Sequence, residues 1–172
     1  MARRRTQPRF DPYAILAALD QGRTIYILIG AFARVIEGSD EITLGVDLTP
    51  STRPENLRRL ELALAGINAR RANGRAPDLE WTDFDSEPVV ELATDHGQVK
   101  VVPFPEGTRG YDDLRRAAIR EPIGRGLRPS VASPGDLARM LGALGREEDI
   151  PRLIMMRRLI ELERSRGLSW ER

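Results

Sequence analysis

Residues 24–47 read TIYILIGAFARVIEGSDEITLGVD, and the parsing of this stretch decides the fold of the chain. Ile25 to Ile29 is an apolar run with little alternation, the pattern of a strand covered on both faces. Gly30 ends it. Ala31 to Ile36 has the spacing of a short helix, which Gly38 closes. Gly30 and Ala31 carry almost no side chain where this helix begins, so backbone N–H groups can approach a phosphate there. Close strand–helix packing asks for the same small residues. Ser39, Asp40 and Glu41 form a polar turn. From Ile42 to Leu48, apolar residues alternate with Thr43, Gly45 and Asp47, which predicts a half-buried strand with those three on one face. A residue at 45 therefore stands beside Asp47 and points the same way. A strand–glycine–helix–strand unit of this kind sets a small-residue anion site next to an acid.

Working outward toward the start, Asp11 is placed to cap a helix whose first position is Pro12. Ile15, Leu16 and Leu19 give it one apolar side, and Gly22 stops it. Residues 1–10 read as a flexible basic arm. Arg3, Arg4, Arg5 and Arg9 have the charge to touch phosphates, and a solvated tail is the simpler reading.

Toward the end, Leu57, Leu60, Leu64 and Ile67 make the inner stripe of a helix over residues 55–70. Residues 73–88 predict a loop with a brief strand near Leu79–Trp81, pinned to the body by Trp81 and Phe84. Two strands follow, joined by the turn Asp95–His96–Gly97. His96 is the only histidine, and with no second base or nucleophile evident beside it, it reads as a turn residue. Lys100, the only lysine, lies on the second of these strands among valines. An ammonium there needs a carboxylate partner or an exit to water. A helix is predicted from Gly110 to Ile119, and residues 123–131 read as irregular with one short strand. A helix starting at Ser133–Pro134 has Leu137, Met140, Leu141 and Leu144 on its apolar side. A final helix over about 148–165 carries Leu153, Met156 and Ile160 in one band and Met155, Leu159 and Leu162 in another, as core or as a partner interface. The expected domain layout is the arm, a core over 11–132, and a C-terminal helical segment over 133–172 packed on it.

The bulk numbers narrow the functional classes. A chain of 172 residues suits one domain with a sizeable core. Apolar content of 41% and charged content of 31% are those of a globular protein. Net charge is only +1, so no overall field steers the chain to nucleic acid, and a nucleic-acid partner is not expected. With no cysteine there is neither a disulfide nor a thiolate nucleophile, which fits a cytoplasmic location. No run approaches the roughly 20 apolar residues of a membrane span, and no hydrophobic signal segment follows the basic start.

Taken together, FDPYAILAALDQG, YILIGAFARVIEG, STRPENLRRLELAL, ATDHGQVKVVPFPEGTRGYDDL and VASPGDLARMLGALGREEDIPRL resemble, in order and spacing, a bacterial minimal nucleotidyltransferase-like family related to the toxin-type AbiEii enzymes. The resemblance covers nearly all the chain beyond the arm. It implies an α/β (α+β) fold, a nucleotidyltransferase-like mixed sheet flanked by helices with further helices at the C-terminus. It also implies transfer of a nucleotide from a nucleoside triphosphate to a protein, RNA or small-molecule acceptor. In that family a glycine pair holds phosphates. Two carboxylates one residue apart on a strand, with a third from a neighbouring strand, hold divalent metal that neutralises the triphosphate.

This chain departs from the pattern where the chemistry sits. Asp47 matches the second acid of the pair. Gly45 stands where the first would be, Lys100 where the third would be, Glu41 in place of an arginine ahead of the pair, Ala31 in place of the second glycine, and Leu141 in place of a lysine in the closing segment. Arg146 and Asp149 match that segment, with a structural role. The expectation is a catalytically inactive or degenerate relative that needs no cofactor. It would bind a nucleotide through Gly30, Ala31 and Lys100, or act through protein contacts, including a homodimer through the last helix. Lys100 is expected to neutralise Asp47 across adjacent strands. The alternative is an active transferase using Mg or Mn and a nucleoside triphosphate, with Asp47 joined by Glu41, Asp40, Asp95 or Glu91 as a displaced acid set.

Overall fold

The computed structural model describes residues 8–168. Helix α1 (Pro12–Gln21) starts where Asp11 accepts a hydrogen bond from the Ala14 N–H at 3.1 Å, with Pro12 in the first turn. Phe10 is already part of the body, its ring edge-on to Phe32 with centroids 6.0 Å apart. Arg3, Arg4 and Arg5 of the expected arm lie outside the described residues.

The opening stretch folds as strand β1 (Tyr26–Ile29), helix α2 (Gly30–Ile36) and strand β2 (Gly45–Pro50). Ile27, Leu28 and Ile29 are all buried in succession, as a strand covered on both faces requires. Helix α3 (Pro54–Ala65) buries Leu57, Leu60 and Leu64. Strands β3 (Val90–Thr94) and β4 (Gly97–Val101) form a tight hairpin. Helix α4 (Tyr111–Leu114), strands β5 (Ile119–Arg120) and β6 (Ser130–Val131), and helices α5 (Pro134–Leu144) and α6 (Ile150–Leu168) complete the chain.

Among the described residues, six strands make one mixed sheet in the order β3-β4-β2-β1-β6-β5. β1 runs antiparallel to β2 and parallel to β6, while β2 runs parallel to β4. α1 packs on α3, and α2 packs with α5, which in turn carries α6. Ile15, Leu16, Leu19, Leu48, Leu60, Leu64, Val99 and Val101 are essentially sealed from water. Each such side chain contributes roughly 1.5–3 kcal/mol of burial. The fold is therefore the expected α+β arrangement, a mixed sheet flanked by helices.

Local departures have local causes. The strand expected from Ile42 begins at Gly45, and Ile42 and Leu44 are 93% and 67% exposed. The partner strand β4 reaches back only to Gly97. Meanwhile the Thr43 hydroxyl donates to the Gly45 carbonyl at 3.0 Å and turns the chain before pairing starts. The brief strand expected at Leu79–Trp81 is a 3₁₀ turn with Leu79 buried and Trp81 exposed. Arg71 holds this loop instead of Trp81. Its guanidinium donates to the Pro77 carbonyl at 3.0 and 2.6 Å and to the Thr82 hydroxyl at 2.9 Å, and it pairs with Glu87. The helix expected to reach Ile119 ends at Leu114, because the chain is drawn into the β5–β6 pairing. The last helix starts two residues later than expected, after a 3₁₀ turn at Glu147–Asp149, with Pro151 in its first turn.

Candidate functional site

The sheet register puts Asp47 in a row of facing residues. Its Cα partner on β1 is Ile29 and on β4 is Lys100, and Lys100 in turn faces Glu91 on β3. Residues paired in register share a face of the sheet, so Glu91, Lys100 and Asp47 lie side by side.

Gly30 comes next after Ile29 and has φ +69°, a conformation that favours glycine. A Cβ at Gly30 would sit 2.3 Å from Asp47 Oδ2. The carboxylate thus lies directly against the first residue of α2 and fills the space a side chain would take. Asp47 is half-buried, and among the described residues no hydrogen bond or ion pair reaches its carboxylate. Burial pushes its carboxyl above the usual range. Lys100 and Arg34 pull it back and Glu91 pushes it further up, and burial wins.

Lys100 has both things its position demands. Its side chain is 40% exposed, and its ammonium lies 3.7 Å from Glu91 Oε1. The expected pairing with Asp47 is thus a neighbour relation. The ion pair is made across the hairpin with Glu91, because the β3–β4 register sets Glu91 at the same level and more exposed to water.

The other acids considered for a displaced set are elsewhere or engaged. Glu41 accepts from Arg34 Nε and Nη2 at 2.7 and 2.8 Å and from the Ser39 hydroxyl at 2.8 Å, and Arg152 Nε stands 3.0 Å away. Asp95 accepts from Asn68 Nδ2 at 2.5 Å in the β3–β4 turn. Asp40 is exposed. Gly45 is tightly packed: a Cβ there would be 2.8 Å from the Gln98 carbonyl oxygen, so an acid at 45 requires β2 and β4 to move apart. Leu141 is buried, 3% exposed, on α5. Among the described residues no group of three or more acids or histidines is placed to hold a metal ion. The residues present do not fit a two-metal centre, since an ammonium faces Asp47 from β4.

One arrangement was missed in the sequence. Arg34, Glu41, Arg152, Asp149 and Arg146 form a continuous chain of charge pairs, with Arg152 and Arg146 at 2.8 and 2.6 Å from the sealed Asp149 carboxylate. It ties the start of α6 to the turn before β2. The signal was Arg34 itself, the one charged residue in GAFARVI, a helix otherwise apolar on every side.

No family model matches the chain, and no curated protein matches it. Among solved structures it is similar to a protein from Thermotoga maritima described as a "putative nucleotidyltransferase", at 14% identity with a TM-score of 0.49, over 96% of this chain and 98% of that one. No residue role follows from a likeness of this size.

Proposed function

We propose that this chain is a nucleotidyltransferase-like protein that works by binding and does not carry out metal-dependent nucleotide transfer. The observation that supports this is the row Glu91–Lys100–Asp47: one carboxylate without a partner, and a cation where a second ligand would be needed. Divalent metal requires several oxygens on one spot, and an ammonium beside a lone aspartate repels it. The tight packing at Gly45 argues the same way, because a paired acid is not one substitution away. No cofactor is assigned.

The same geometry sets the terms for a bound phosphate. Gly30, Ala31 and Lys100 offer backbone N–H groups and a half-exposed ammonium, while Asp47 lies against Gly30 and opposes an anion. Metal-free binding at this face is therefore weak and limited by Asp47. Calorimetric titration with ATP, GTP, CTP and UTP, with and without Mg²⁺ or Mn²⁺, tests this by the sign of one variant. Asp47→Asn should leave metal-free triphosphate binding unchanged or strengthen it. Metal-dependent binding that disappears in Asp47→Asn would overturn this reading in favour of a metal site at Asp47.

A further inference from the structure

A second charged cleft lies at the other end of β1. Tyr26 and Gly30 are separated by four residue steps, about 13 Å along an extended strand, so this cleft is distinct from the Asp47 face. It has a volume of about 250 Å³, and Asp20, Arg23, Tyr26, Tyr111, Arg120 and Arg128 are among its lining residues. The three arginines come from three places: the turn after α1, strand β5 and the loop before β6.

Arg23 is held there at a conformational cost. The glycine that could take the left-handed position after α1 is at 22, where a Cβ would sit 2.9 Å from the Ala63 Cβ on α3. The left-handed residue is Arg23, with φ 52°, a conformation that a non-glycine residue adopts only under strain. Its N–H donates to the Asp20 carbonyl at 3.0 Å, and the Thr24 N–H and hydroxyl both donate to the Leu19 carbonyl at 3.2 and 3.0 Å. These bonds on either side of Arg23 fix where its side chain starts. Arg120 Nε donates to the Arg128 carbonyl at 3.1 Å, and its other guanidinium nitrogens have no protein acceptor among the described residues. No carboxylate forms an ion pair with Arg23, Arg120 or Arg128 among the described residues. Burial first, and Asp20 second, push the Tyr26 phenol up, so it stays a hydrogen-bond donor at any working pH.

We infer that this cleft is a binding site for a small phosphate monoester. Three guanidinium groups against the single carboxylate of Asp20 leave the cleft with a net double positive charge, matched to a phosphate dianion. Arginines contributed by three elements, all exposed to solvent at the cleft, suit a tetrahedral oxyanion, whose oxygens point in several directions. The two tyrosine rings and Leu127 provide an apolar wall for the body of the ester. The volume lies below the roughly 300–1,000 Å³ of drug-sized pockets, which suits a compact ligand.

The test uses the full chain, with inorganic phosphate and phenyl phosphate as probes, followed by calorimetry and by amide chemical-shift changes. Phenyl phosphate should bind more tightly than inorganic phosphate and shift the amides of residues 23, 120 and 128. Arg23→Gln and Arg128→Gln should each weaken phenyl phosphate about tenfold, the loss of one charge-assisted hydrogen bond. Asp20→Asn should strengthen it, an effect opposite to that of general damage. Arg75→Gln, which removes the same charge from a remote exposed loop, should change nothing. Absence of binding by both probes overturns the inference. So does equal weakening in Arg23→Gln and Arg75→Gln, which would reduce the effect to net charge.

Discussion

Asp47 and Glu41 are close in sequence, and both are withdrawn from water, yet their protonation is pushed in opposite directions. At both, burial acts to raise the carboxyl. At Glu41, hydrogen bonds from Arg34 and Ser39, with the charges of Arg34 and Arg152, outweigh it and hold the group below its ordinary value. At Asp47 there are only charges at a distance, and burial prevails. Desolvation costs much the same wherever an acid is buried; what differs is whether donors reach the carboxylate. The paired acid fastens α6 to the body, and the unpaired one marks a face where a ligand or nothing stands.

The largest effect should come from breaking the paired region. Glu41→Ala leaves Arg34, only 9% exposed, without its carboxylate. We expect a loss of about 3 kcal/mol, the lower end for breaking a buried pair, read by denaturant unfolding. The loss should be specific in pH. Because the folded value is lowered, Glu41's contribution is present above about pH 4.3 and disappears as pH falls through the folded value. A loss that persists unchanged at pH 2 would mean the side chain matters for packing and not for charge.

Glu37 extends the comparison to a second unpaired acid. It caps the end of α2, its Oε1 is buried without a hydrogen-bond partner among the described residues, and its carboxyl is pushed up to about 7. Burial is the main cause, followed by the charges of Glu121 and Glu163. With the folded value raised, the stabilisation is full below the unfolded value and is lost as pH rises through about 7. The protein should therefore lose about 1–2 kcal/mol between pH 5 and 8, after discount for partial solvent screening, and Glu37→Gln should flatten that slope. A slope that survives in Glu37→Gln assigns it to another group.

Asp47→Asn should stabilise the protein at pH 7, by about 1 kcal/mol, the scale of an unpartnered buried polar group. The sign runs as for Glu37: the raised value makes the folded form favour the proton, so the advantage of asparagine should vanish below about pH 4. Destabilisation at pH 7 would show that the carboxylate has a partner and erase its contrast with Glu41.

Much of this was readable in the chain. The apolar run Ile25–Ile29, the break at Gly30 and the alternation around Asp47 gave β1, α2 and β2, because burial period and glycine geometry act locally. The turn Asp95–His96–Gly97 gave the hairpin, and its two-residue tip fixes the register. That register places Glu91 opposite Lys100, so the true partner of the ammonium was available from counting outward along the hairpin. Asp47, the partner expected from the sequence, is the lysine's neighbour on the parallel side. The Arg34–Glu41–Arg152–Asp149–Arg146 chain could not be read locally, since its Glu41–Arg152 pair joins residues 111 positions apart. The end of the helix at Leu114 was hidden for the same reason, as it depends on pairing with Val131 and Ser130.

The smallest effect, and the sharpest test of the contrast, is Lys100→Ala. If the ammonium sat buried against Asp47, its removal would cost about 3–5 kcal/mol. Its contact with Glu91 is instead a surface pair, 40% and 71% exposed on the two sides, and such pairs contribute roughly 0–1 kcal/mol and fade with salt. We expect a change within about 0.5 kcal/mol, most of it gone at high ionic strength. A second consequence works through Asp47: without the ammonium, one of the charges holding its carboxyl down is lost, and the gain from Asp47→Asn should be larger in the Lys100→Ala background. A double-mutant cycle measured at pH 7 reads this coupling directly. No coupling would mean that the two groups are screened from each other, and a several-kcal/mol loss in Lys100→Ala alone would put Asp47 among the paired acids after all.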